Sequence, residues 1–231
     1  MTVISTIEKE MKEFAVVFFA AITPATVNKL WQIVEHCRWQ PGGRKTMTLV
    51  IASSGGDVQQ AMTAYNYLRE VPMDIITHAT SVVSSAGLLL YCLGKERRAH
   101  TYTHFTLHPM VLSAAQGGYN IPLLQENIGL LQEQENTMAS IIASAAGKAE
   151  KTVAQDIRQH KVLNTQQAKE YGLVTEISNS IVPEHVVPFR IGEGESPIPS
   201  PYAPMSFFGK SPVTAGTGND YYPASADALC R

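Results

Sequence analysis

Short apolar runs alternate with segments of helical period over residues 14–182, and this alternation limits the possible folds more than any other feature of the chain. Residues 14–20 and 48–52 are apolar runs of strand length, and between them apolar residues recur at helical spacing over 27–34. Chains with this alternation bury their apolar faces by packing helices around a largely parallel sheet. The sequence therefore predicts an α/β fold.

The remaining predicted elements continue this alternation. The longest predicted helix covers residues 122–146, with apolar side chains on one side and glutamine and glutamate on the other. An apolar helix is predicted at 84–93, and the charged residues 95–98 are predicted to form a solvated turn. The other predicted elements are strands at 74–79 and 105–107 and helices at 58–68, 148–159 and 165–171.

The composition of the chain changes once, near residue 183, because eight of the 13 prolines follow that point. Proline removes backbone donors and restricts its neighbours, so a proline-rich tail is expected to be irregular. We predict an N-terminal segment at 1–13, a folded domain at 14–182 and a proline- and glycine-rich tail at 183–231. The tail also carries six aromatic residues, so we expect it to lie on the domain or on a neighbouring molecule.

The charge and composition exclude several classes of protein. With 45% hydrophobic residues and a formal net charge of -2, the chain is neither disordered nor basic enough to collect nucleic-acid phosphates. Cys37, Cys92 and Cys230 are too few and too scattered for a disulfide framework or a spaced zinc site. The sequence contains no phosphate loop, so neither a cofactor nor a metal is predicted.

The sequence also carries an expectation about where the protein works. Residues 1–13 carry several charges before any apolar run and lack the form of a signal peptide. The longest apolar runs are shorter than the roughly 20 residues that a membrane helix needs. We therefore expect a soluble protein of the reducing cytoplasm that contacts neither membrane nor nucleic acid.

Three short polar segments, at 51–57, 81–87 and 106–109, each follow or end an apolar run. In open α/β sheets, sites form outside the carboxyl ends of the strands, so all three segments are expected at one edge of the sheet. Ser85 is predicted to begin an apolar helix, where backbone N–H groups favour developing negative charge. This position makes Ser85 a candidate nucleophile.

Three more residues complete a possible site for acyl transfer. His108 follows a predicted strand and is a candidate general base that takes the proton of the serine. Acyl transfer also needs two N–H donors aimed at the tetrahedral oxygen, and Gly56 and Ala86 are the candidates for this oxyanion hole.

Each of these residues also has an ordinary structural interpretation. Ser84 and Ser85 can simply cap a helix, which is the commonest role of serine before an apolar run. The two glycines at 55–56 can simply form a turn. Three other histidines lie in strand-like runs and are interpreted as structural residues: His78, His100 and His104. Taken one at a time, none of these motifs is specific.

The segments in combination, and in this order, resemble the proteolytic subunit of the Clp protease, a serine peptidase family within the Clp-protease/crotonase superfamily. Residues 53–56 match the family's Ser-Pro-Gly-Gly turn, with Ser54 where proline is usual. Residues 84–87 match its Ala-Ser-Met-Gly nucleophile segment, and no gap is needed between the two motifs. The resemblance covers residues 14–178 and implies Ser85 as nucleophile.

Further segments extend the resemblance along the chain. Residues 107–109 match the base segment Ile-His-Gln-Pro, one residue shorter, and imply His108 as the base. Residues 116–119 resemble the Gly-Gly-Tyr before the family's handle helix, and 168–174 resemble its closing stretch. The resemblance implies repeated β-β-α units with a protruding handle helix, and an oxyanion hole formed by the N–H groups of Gly56 and Ala86.

The third catalytic position departs from the family. The family has an aspartate there, before an Arg-Phe-Leu-Ser run, whereas this chain has His160 before Lys161. His160 can accept the N–H of His108 through its neutral nitrogen, which keeps the orientation of the base without a negative charge. Asp156 can take the position if the segment shifts, and a dyad of Ser85 and His108 remains a third possibility.

The resemblance implies an assembly and a substrate. Family members stack two heptameric rings through their handle helices, and the enclosed chamber admits unfolded chains or short peptides supplied by an AAA+ ATPase. We therefore expect a homo-oligomer that hydrolyses peptide bonds, with the helix at 122–146 as its handle. Two alternatives stay open: a catalytically weak ring subunit, favoured by the missing aspartate, and a crotonase-type enzyme acting on acyl-coenzyme A.

Overall fold

The computed structural model describes residues 11–111, 118, 120–182 and 184–192. These residues form one eight-stranded sheet with helices between the strands, so the predicted α/β fold is confirmed. The strands are β1 (Glu13–Phe19), β2 (Lys45–Ser53), β3 (Met73–Ser84), β4 (Glu96–Ala99), β5 (His104–Thr106), β6 (Val162–Asn164), β7 (Glu176–Ile177) and β8 (Phe189–Gly192). The helices are α1 (Pro24–Arg38), α2 (Val58–Glu70), α3 (Gly87–Tyr91), α4 (Ile121–Ala146), α5 (Glu150–Arg158) and α6 (Thr165–Tyr171).

The sheet is parallel over most of its width. Its strand order is β6-β5-β3-β2-β1-β8, and β4 pairs with both β3 and β7. Only β5 and β6 pair in the antiparallel sense among the described strands. Parallel neighbours need crossover connections, which α1 and α2 supply between the first three strands. The carboxyl ends of β2, β3 and β5 therefore point to the same edge of the sheet.

The central strands are apolar because both of their faces are covered. Residues 14–18 of β1 are all buried, and β2 is buried at seven of its nine positions. In a strand covered on both faces, every side chain has to be apolar or hydrogen-bonded, so the run is continuous rather than alternating. This explains why the apolar residues of these strands follow one another in the sequence and do not alternate strictly with polar ones.

Local side-chain chemistry sets where α1 and α2 begin. Thr23 and Thr26 form a capping box, and Pro24 occupies the first turn of α1, where its missing N–H costs nothing. Asp57 caps α2 by accepting the N–H of Gln60 at 3.0 Å. Because Asp57 directly follows two glycines, this cap fixes where the glycine turn ends and the helix starts.

The longest helix, α4, agrees with the predicted helix at 122–146 to within one residue at its start. Its C-terminal half packs into the core through Met138 and Ile142, which are fully buried. Its N-terminal half instead presents five large apolar side chains that are 40 to 71% exposed: Ile121, Leu123, Leu124, Ile128 and Leu130.

The segment around Ser85 differs from the sequence prediction. The predicted helix at 84–93 is only five residues long as α3, and Ser84 is instead the last residue of β3. The N-cap of α3 is Ala86, and no side chain caps this helix. The apolar run is buried at every position from 83 to 93. A continuous apolar run indicates burial but does not distinguish a strand from a helix.

The charged residues 95–98 do not form the predicted solvated turn. Residues 96–99 form β4, and Arg97 is buried within it. Its guanidinium donates to four main-chain carbonyl oxygens, on Gly94, Ala145, Gly172 and Leu173. A buried cation is tolerated here because carbonyl oxygens replace the water it has lost.

The folded part of the chain continues past residue 182, where sequence analysis had put its end. Phe189–Gly192 forms β8, which extends the sheet by pairing in parallel with β1. Phe189 and Ile191 are buried, so this part of the predicted tail belongs to the core. The high proline content after residue 182 obscured a strand of only four residues. The rest of the tail, at 193–231, lies outside the described residues.

Two findings bear on compartment and redox chemistry. No helix in the described ranges is both long enough and apolar enough to cross a membrane. Cys37 and Cys92 are free thiols, and burial raises the pKa of each to about 12, so both remain protonated at neutral pH. Cys230 lies outside the described residues.

Candidate active site

The candidate residues follow the carboxyl ends of adjacent parallel strands. Ser53 at the end of β2 pairs with Val83, and Ser84 at the end of β3 pairs with Thr106 of β5. The chain continues from these ends into the glycine turn, into Ser85 and, two residues beyond Thr106, into His108. One edge of the sheet thus gathers segments that are distant in sequence, as expected for a parallel α/β site.

The glycine turn has a backbone that only glycine adopts easily. Gly55 has φ 100° and Gly56 has φ 140°. A Cβ on Gly56 would lie 2.3 Å from the carbonyl oxygen of Ile22, so no side chain fits there. Gly56 forms an isolated parallel bridge with Ile22, in which Gly55 O and Asp57 N are the bonded groups. The N–H of Gly56 is therefore not used by this bridge.

The turn packs directly against the candidate nucleophile. A Cβ on Gly55 would lie 2.8 Å from the Cβ of Ser85 and 3.3 Å from the amide nitrogen of Ala86. The hydroxyl of buried Ser53 accepts the N–H of Gly55 at 3.2 Å, which holds the turn in this position. A side chain at position 55 would therefore clash with Ser85, so glycine makes this close packing possible.

Ser85 occupies a strained backbone conformation, with φ 53°. L-residues other than glycine rarely adopt this region, at a cost of about 1 to 2 kcal/mol. Its N–H donates to Thr106 O at 3.1 Å, so the backbone turns sharply while it remains bonded to β5. Ser85 does not cap α3, and this excludes the ordinary structural interpretation of this serine.

The ring of His108 is oriented by a main-chain carbonyl. Its Nδ1 lies 2.8 Å from the carbonyl oxygen of Pro109. A carbonyl oxygen can only accept, so Nδ1 donates in this arrangement, and in the neutral ring Nε2 then has the lone pair. A histidine in this tautomer is ready to take a proton through Nε2, as a general base must.

His160 lies against His108, but in a different geometry from the one expected. The two ring centroids are 6.3 Å apart and the planes are inclined by only 14°, so the rings stack. Stacked rings do not direct an in-plane nitrogen at the in-plane N–H of the neighbour, so the predicted hydrogen bond from His108 to His160 is not formed here. His160 also has a positive φ of 52°. Among non-glycine residues in the described ranges, only Ser85 and His160 have positive φ.

Asp156, the other candidate for the third position, already has partners. One carboxylate oxygen accepts Lys161 Nζ at 2.7 Å and the other accepts the hydroxyl of Tyr171 at 2.7 Å. These two bonds tie the carboxylate to Lys161 and to α6. Of the two candidates, His160 is the one whose ring stacks on that of His108.

Sequence reasoning missed the carbonyl of Pro109 as a partner of His108. A main-chain acceptor exists at every residue, so nothing in the sequence marks the one that a side chain will use. Of the motif at 116–119, residues 116, 117 and 119 lie outside the described residues. The signal for His160 is its alignment with the aspartate of the family that the sequence resembles, and the sequence carries no signal for its stacking on His108.

Comparison with known proteins supports the resemblance seen in these residues. The family model for Clp protease matches residues 3–180. ATP-dependent Clp protease proteolytic subunit 1 of Corynebacterium jeikeium is 28% identical over 138 residues, which is 59% of this chain and 72% of the relative. Proteolytic subunit 3 of Rhodococcus jostii is 26% identical over 153 residues, which is 64% of this chain and 74% of the relative.

A solved structure is similar over most of the described fold. A mutant of ClpP1 from Listeria monocytogenes matches with a TM-score of 0.64 at 19% sequence identity, covering 71% of this chain and 90% of that chain. At this identity the similarity concerns the fold, and it confirms the ClpP-like α/β architecture that the motifs implied.

Proposed function

This chain belongs to the Clp protease family, and on that premise we propose that it is a serine endopeptidase acting on unfolded proteins or peptides. In this proposal Ser85 is the nucleophile and His108 is the general base. The N–H groups of Gly56 and Ala86 form the oxyanion hole. His160 takes the third position by supporting the ring of His108.

The observation that carries the proposal is the strained backbone of Ser85 where it packs on Gly55. Strain of this kind persists only where the surrounding structure enforces it, and it concentrates at functional sites. The positive φ turns Ser85 out of β3 at the point where two unusual backbones meet. No packing requirement explains a serine at this position, because glycine would adopt the same conformation without strain.

The reaction follows from these roles. Ser85 Oγ attacks the scissile carbonyl carbon while Nε2 of His108 accepts the hydroxyl proton. The negative charge that develops on the carbonyl oxygen is stabilised by the two N–H donors, an interaction of about 3 to 4 kcal/mol per donor in related chemistry. The His108 imidazolium then protonates the leaving amine, and water releases the acyl group by the same steps in reverse.

The missing aspartate has a specific consequence for His108. In a serine-histidine-aspartate site, the carboxylate fixes the tautomer of the histidine and stabilises the imidazolium. The carbonyl of Pro109 supports the first of these tasks because it accepts the Nδ1 proton. A neutral carbonyl supplies only part of the charge stabilisation, so we expect slower turnover than with a carboxylate.

The same observation favours one alternative function, a ring subunit with weak catalysis that serves assembly or partner binding. Both oxygens of Asp156 are occupied, so the nearby carboxylate is held by other partners. Under this alternative Ser85 would not react with active-site reagents. The reactivity of Ser85 towards such reagents therefore distinguishes the two functions.

The exposed apolar half of α4 supports a proposal about assembly. Five large apolar residues exposed on one helix of a small domain are costly unless another surface covers them. We infer that α4 packs against other copies of the chain in a ring or in stacked rings, with seven or 14 subunits as in the family. We also propose an AAA+ ATPase as a partner, as the family implies, and a cytoplasmic location.

Covalent labelling tests the nucleophile. A fluorophosphonate should label the wild-type protein at Ser85, and Ser85→Ala should abolish labelling. Ser144→Ala is the matched control, since Ser144 is an exposed serine on α4, and it should label like wild type. His108→Ala should label much more slowly, and labelling at an unchanged rate would remove His108 as the base.

The third position is tested by restoring the carboxylate. His160→Asp should preserve or raise peptidase activity if residue 160 is the third position, because an acid there can stabilise the His108 imidazolium. Peptide hydrolysis and thermal unfolding are measured together. Complete loss of activity in a folded His160→Asp protein would show that His160 has another role.

A further inference from the structure

A buried carboxylate outside the proposed catalytic groups lies at the end of α5. Asp156 is only 6% exposed. One of its carboxylate oxygens accepts a hydrogen bond from Lys161 Nζ and the other accepts one from the Tyr171 hydroxyl, both at 2.7 Å. Charge-assisted bonds of this length are strong in a buried setting. The carboxylate therefore has a fixed position between α5, α6 and the start of β6.

Asp156 holds Lys161 by its main chain as well as by its side chain. The N–H of Lys161 donates to the carbonyl oxygen of Asp156 at 3.1 Å, and the Lys161 ammonium donates to the carboxylate of the same residue. The backbone between them turns sharply, and it contains His160 at φ 52°. Main-chain bonds at the end of α5 hold this φ, because the N–H of His160 also donates to the carbonyl oxygen of Ile157 at 3.0 Å. The Asp156 carboxylate adds its bond to the Lys161 ammonium.

Lys161 is also bound to the segment that carries His108. Its carbonyl oxygen accepts the N–H of Leu107 at 2.8 Å, next to the register pair of Val162 and Thr106. One residue thus connects the carboxylate to the two histidine segments. Its C=O holds the residue before His108, and its N–H holds the turn that presents His160.

Tyr171 completes the network from α6. Burial and the neighbouring Asp156 carboxylate raise the pKa of Tyr171 far above its ordinary value, so the phenol keeps its proton and donates. Lys148 Nζ and Lys161 Nζ lie 4.4 and 5.3 Å from the centre of its ring. These cations hold the ring in place by cation–π attraction.

We propose that Asp156 is a positioning residue for the catalytic base, acting through Lys161 to hold the His160 ring against His108. The inference rests on the proposed function. Asp156 touches neither the substrate nor the reacting atoms in this role. Its carboxylate adds a side-chain bond to the main-chain bonds of the turn at 159–161, and this turn presents the ring that stacks on His108.

A double-mutant cycle tests whether Asp156 acts through His160. Asp156→Asn, His160→Ala and the double variant are compared with wild type for kcat and KM on a short peptide. We expect Asp156→Asn to lower kcat by about tenfold with little change in KM, since the substrate is not contacted. In the His160→Ala background the same substitution should have no further effect, because the ring it positions is gone.

Two outcomes would overturn the proposal. Losses that multiply in the double variant would show that Asp156 acts independently of His160. A wild-type kcat for Asp156→Asn would show that the carboxylate does not matter. Asp74→Asn is the matched control, because Asp74 is an ion-paired aspartate on the exposed surface, bound to Arg44, and it should keep wild-type kinetics.

If Asp156→Asn fails to fold, a second variant and a second measurement still test the proposal. Tyr171→Phe removes one of the two bonds to the Asp156 carboxylate and keeps the aromatic ring, so it should show the same non-additivity with His160→Ala. The ring resonances of ¹⁵N-labelled histidine provide a readout without catalysis. Asp156→Asn or Tyr171→Phe should shift the His108 and His160 resonances and leave that of exposed His185 unchanged.

The two proposals fail separately under these tests. If wild type neither hydrolyses peptides nor labels at Ser85, the proposed function is wrong, and the histidine resonances still decide the role of Asp156. If hydrolysis is present but the His108 and His160 resonances do not move in either variant, the positioning role is wrong and the proposed function stands.

Discussion

Two polar regions of this molecule use their polar groups differently. The Arg97 cluster consists of Arg97 and the carbonyl groups that it binds. The Ser85 edge consists of Ser85, the glycine turn at 55–56 and the two stacked histidines. Arg97 lies in a regular strand, is 8% exposed, and donates to four carbonyl oxygens at 2.7 to 3.3 Å. Ser85 and His160 have positive φ, and the N–H of Gly56 stays outside the bridge beside it.

The difference separates a structural polar group from one that we propose to be reactive. Arg97 makes four hydrogen bonds with its guanidinium and lies in a regular strand, so its polar groups serve the folded state. The Ser85 edge holds strain and keeps donors and a lone pair free, which lowers stability and leaves groups for a substrate to use. Substitutions in the first region should change stability, and those in the second should change chemistry.

Ser85→Ala should produce the largest effect. Loss of the attacking oxygen is expected to lower peptide hydrolysis by about 10⁴-fold, equivalent to about 5.5 kcal/mol of transition-state stabilisation. The free energy of unfolding should stay within about 0.5 kcal/mol of wild type, because no hydrogen bond of the fold depends on a side-chain cap there. Kinetics and urea unfolding measure the two quantities. A large loss of stability would erase the contrast with Arg97.

Arg97→Met should produce the reverse pattern. Four buried carbonyl oxygens lose their donor at once, and the free energy of unfolding is expected to fall by about 3 to 5 kcal/mol. Urea unfolding measures this loss. Arg44→Met is the matched control, since Arg44 forms an exposed pair with Asp74, and it should change stability little. Equal losses for both variants would contradict the structural role of Arg97.

The contrast also explains what could be predicted from the sequence. Strands β1 and β2 and helices α2, α4 and α6 follow from apolar periodicity and capping residues, which are local signals. The burial of Arg97 depends on carbonyls at 145 and 172–173, and no local pattern contains them. Its charged neighbours made the segment look solvated, and a tertiary contact overrode that signal.

The candidate site was predictable in part for the same reason. The motifs around Gly56 and Ser85 are contiguous in sequence and resemble a known family, so their residues could be named. The stack of His160 on His108 and the carbonyl of Pro109 depend on how two loops meet, and they appear only in the structure. The strand β8 was missed because proline-rich flanks hide a run of four residues.

His78 is a histidine outside the candidate site, and it can be compared with His108. It is fully buried in β3, and burial, with the nearby charges of Arg98 and His100, lowers its pKa to about 4. The unfolded chain, with an ordinary pKa near 6.5, binds the proton more readily between these values. Stability from neutral His78 is therefore complete above about pH 6.5 and falls by about 3 kcal/mol as the pH drops to 4.

Unfolding at several pH values measures this dependence. His78→Leu should flatten the decrease between pH 6.5 and 4, because the variant has no group to protonate. His104→Gln is the matched control, because it replaces an exposed histidine of β5. A decrease as steep in His78→Leu as in wild type would mean that other groups carry the pH dependence.

The smallest effect should be the difference in the free energy of unfolding between Ser84→Gly and Ser85→Gly. Ser84 ends a regular strand, whereas Ser85 has φ 53°. Glycine at 84 should lower the free energy of unfolding by about 0.5 to 1 kcal/mol through its greater freedom in the unfolded chain. Glycine at 85 incurs the same cost and recovers about 1 to 2 kcal/mol of backbone strain, so Ser85→Gly should be the more stable variant.

Urea unfolding of Ser84→Gly and Ser85→Gly compares two adjacent positions with the same chemical change. A gap of about 1 to 2 kcal/mol in favour of Ser85→Gly would show that the fold maintains the serine at an energetic cost, since the more stable variant lacks the nucleophile. Equal stabilities would mean that Ser85 is not strained, and the site would then resemble the relaxed surroundings of Arg97. The sign of this difference therefore tests the contrast without any assay of catalysis.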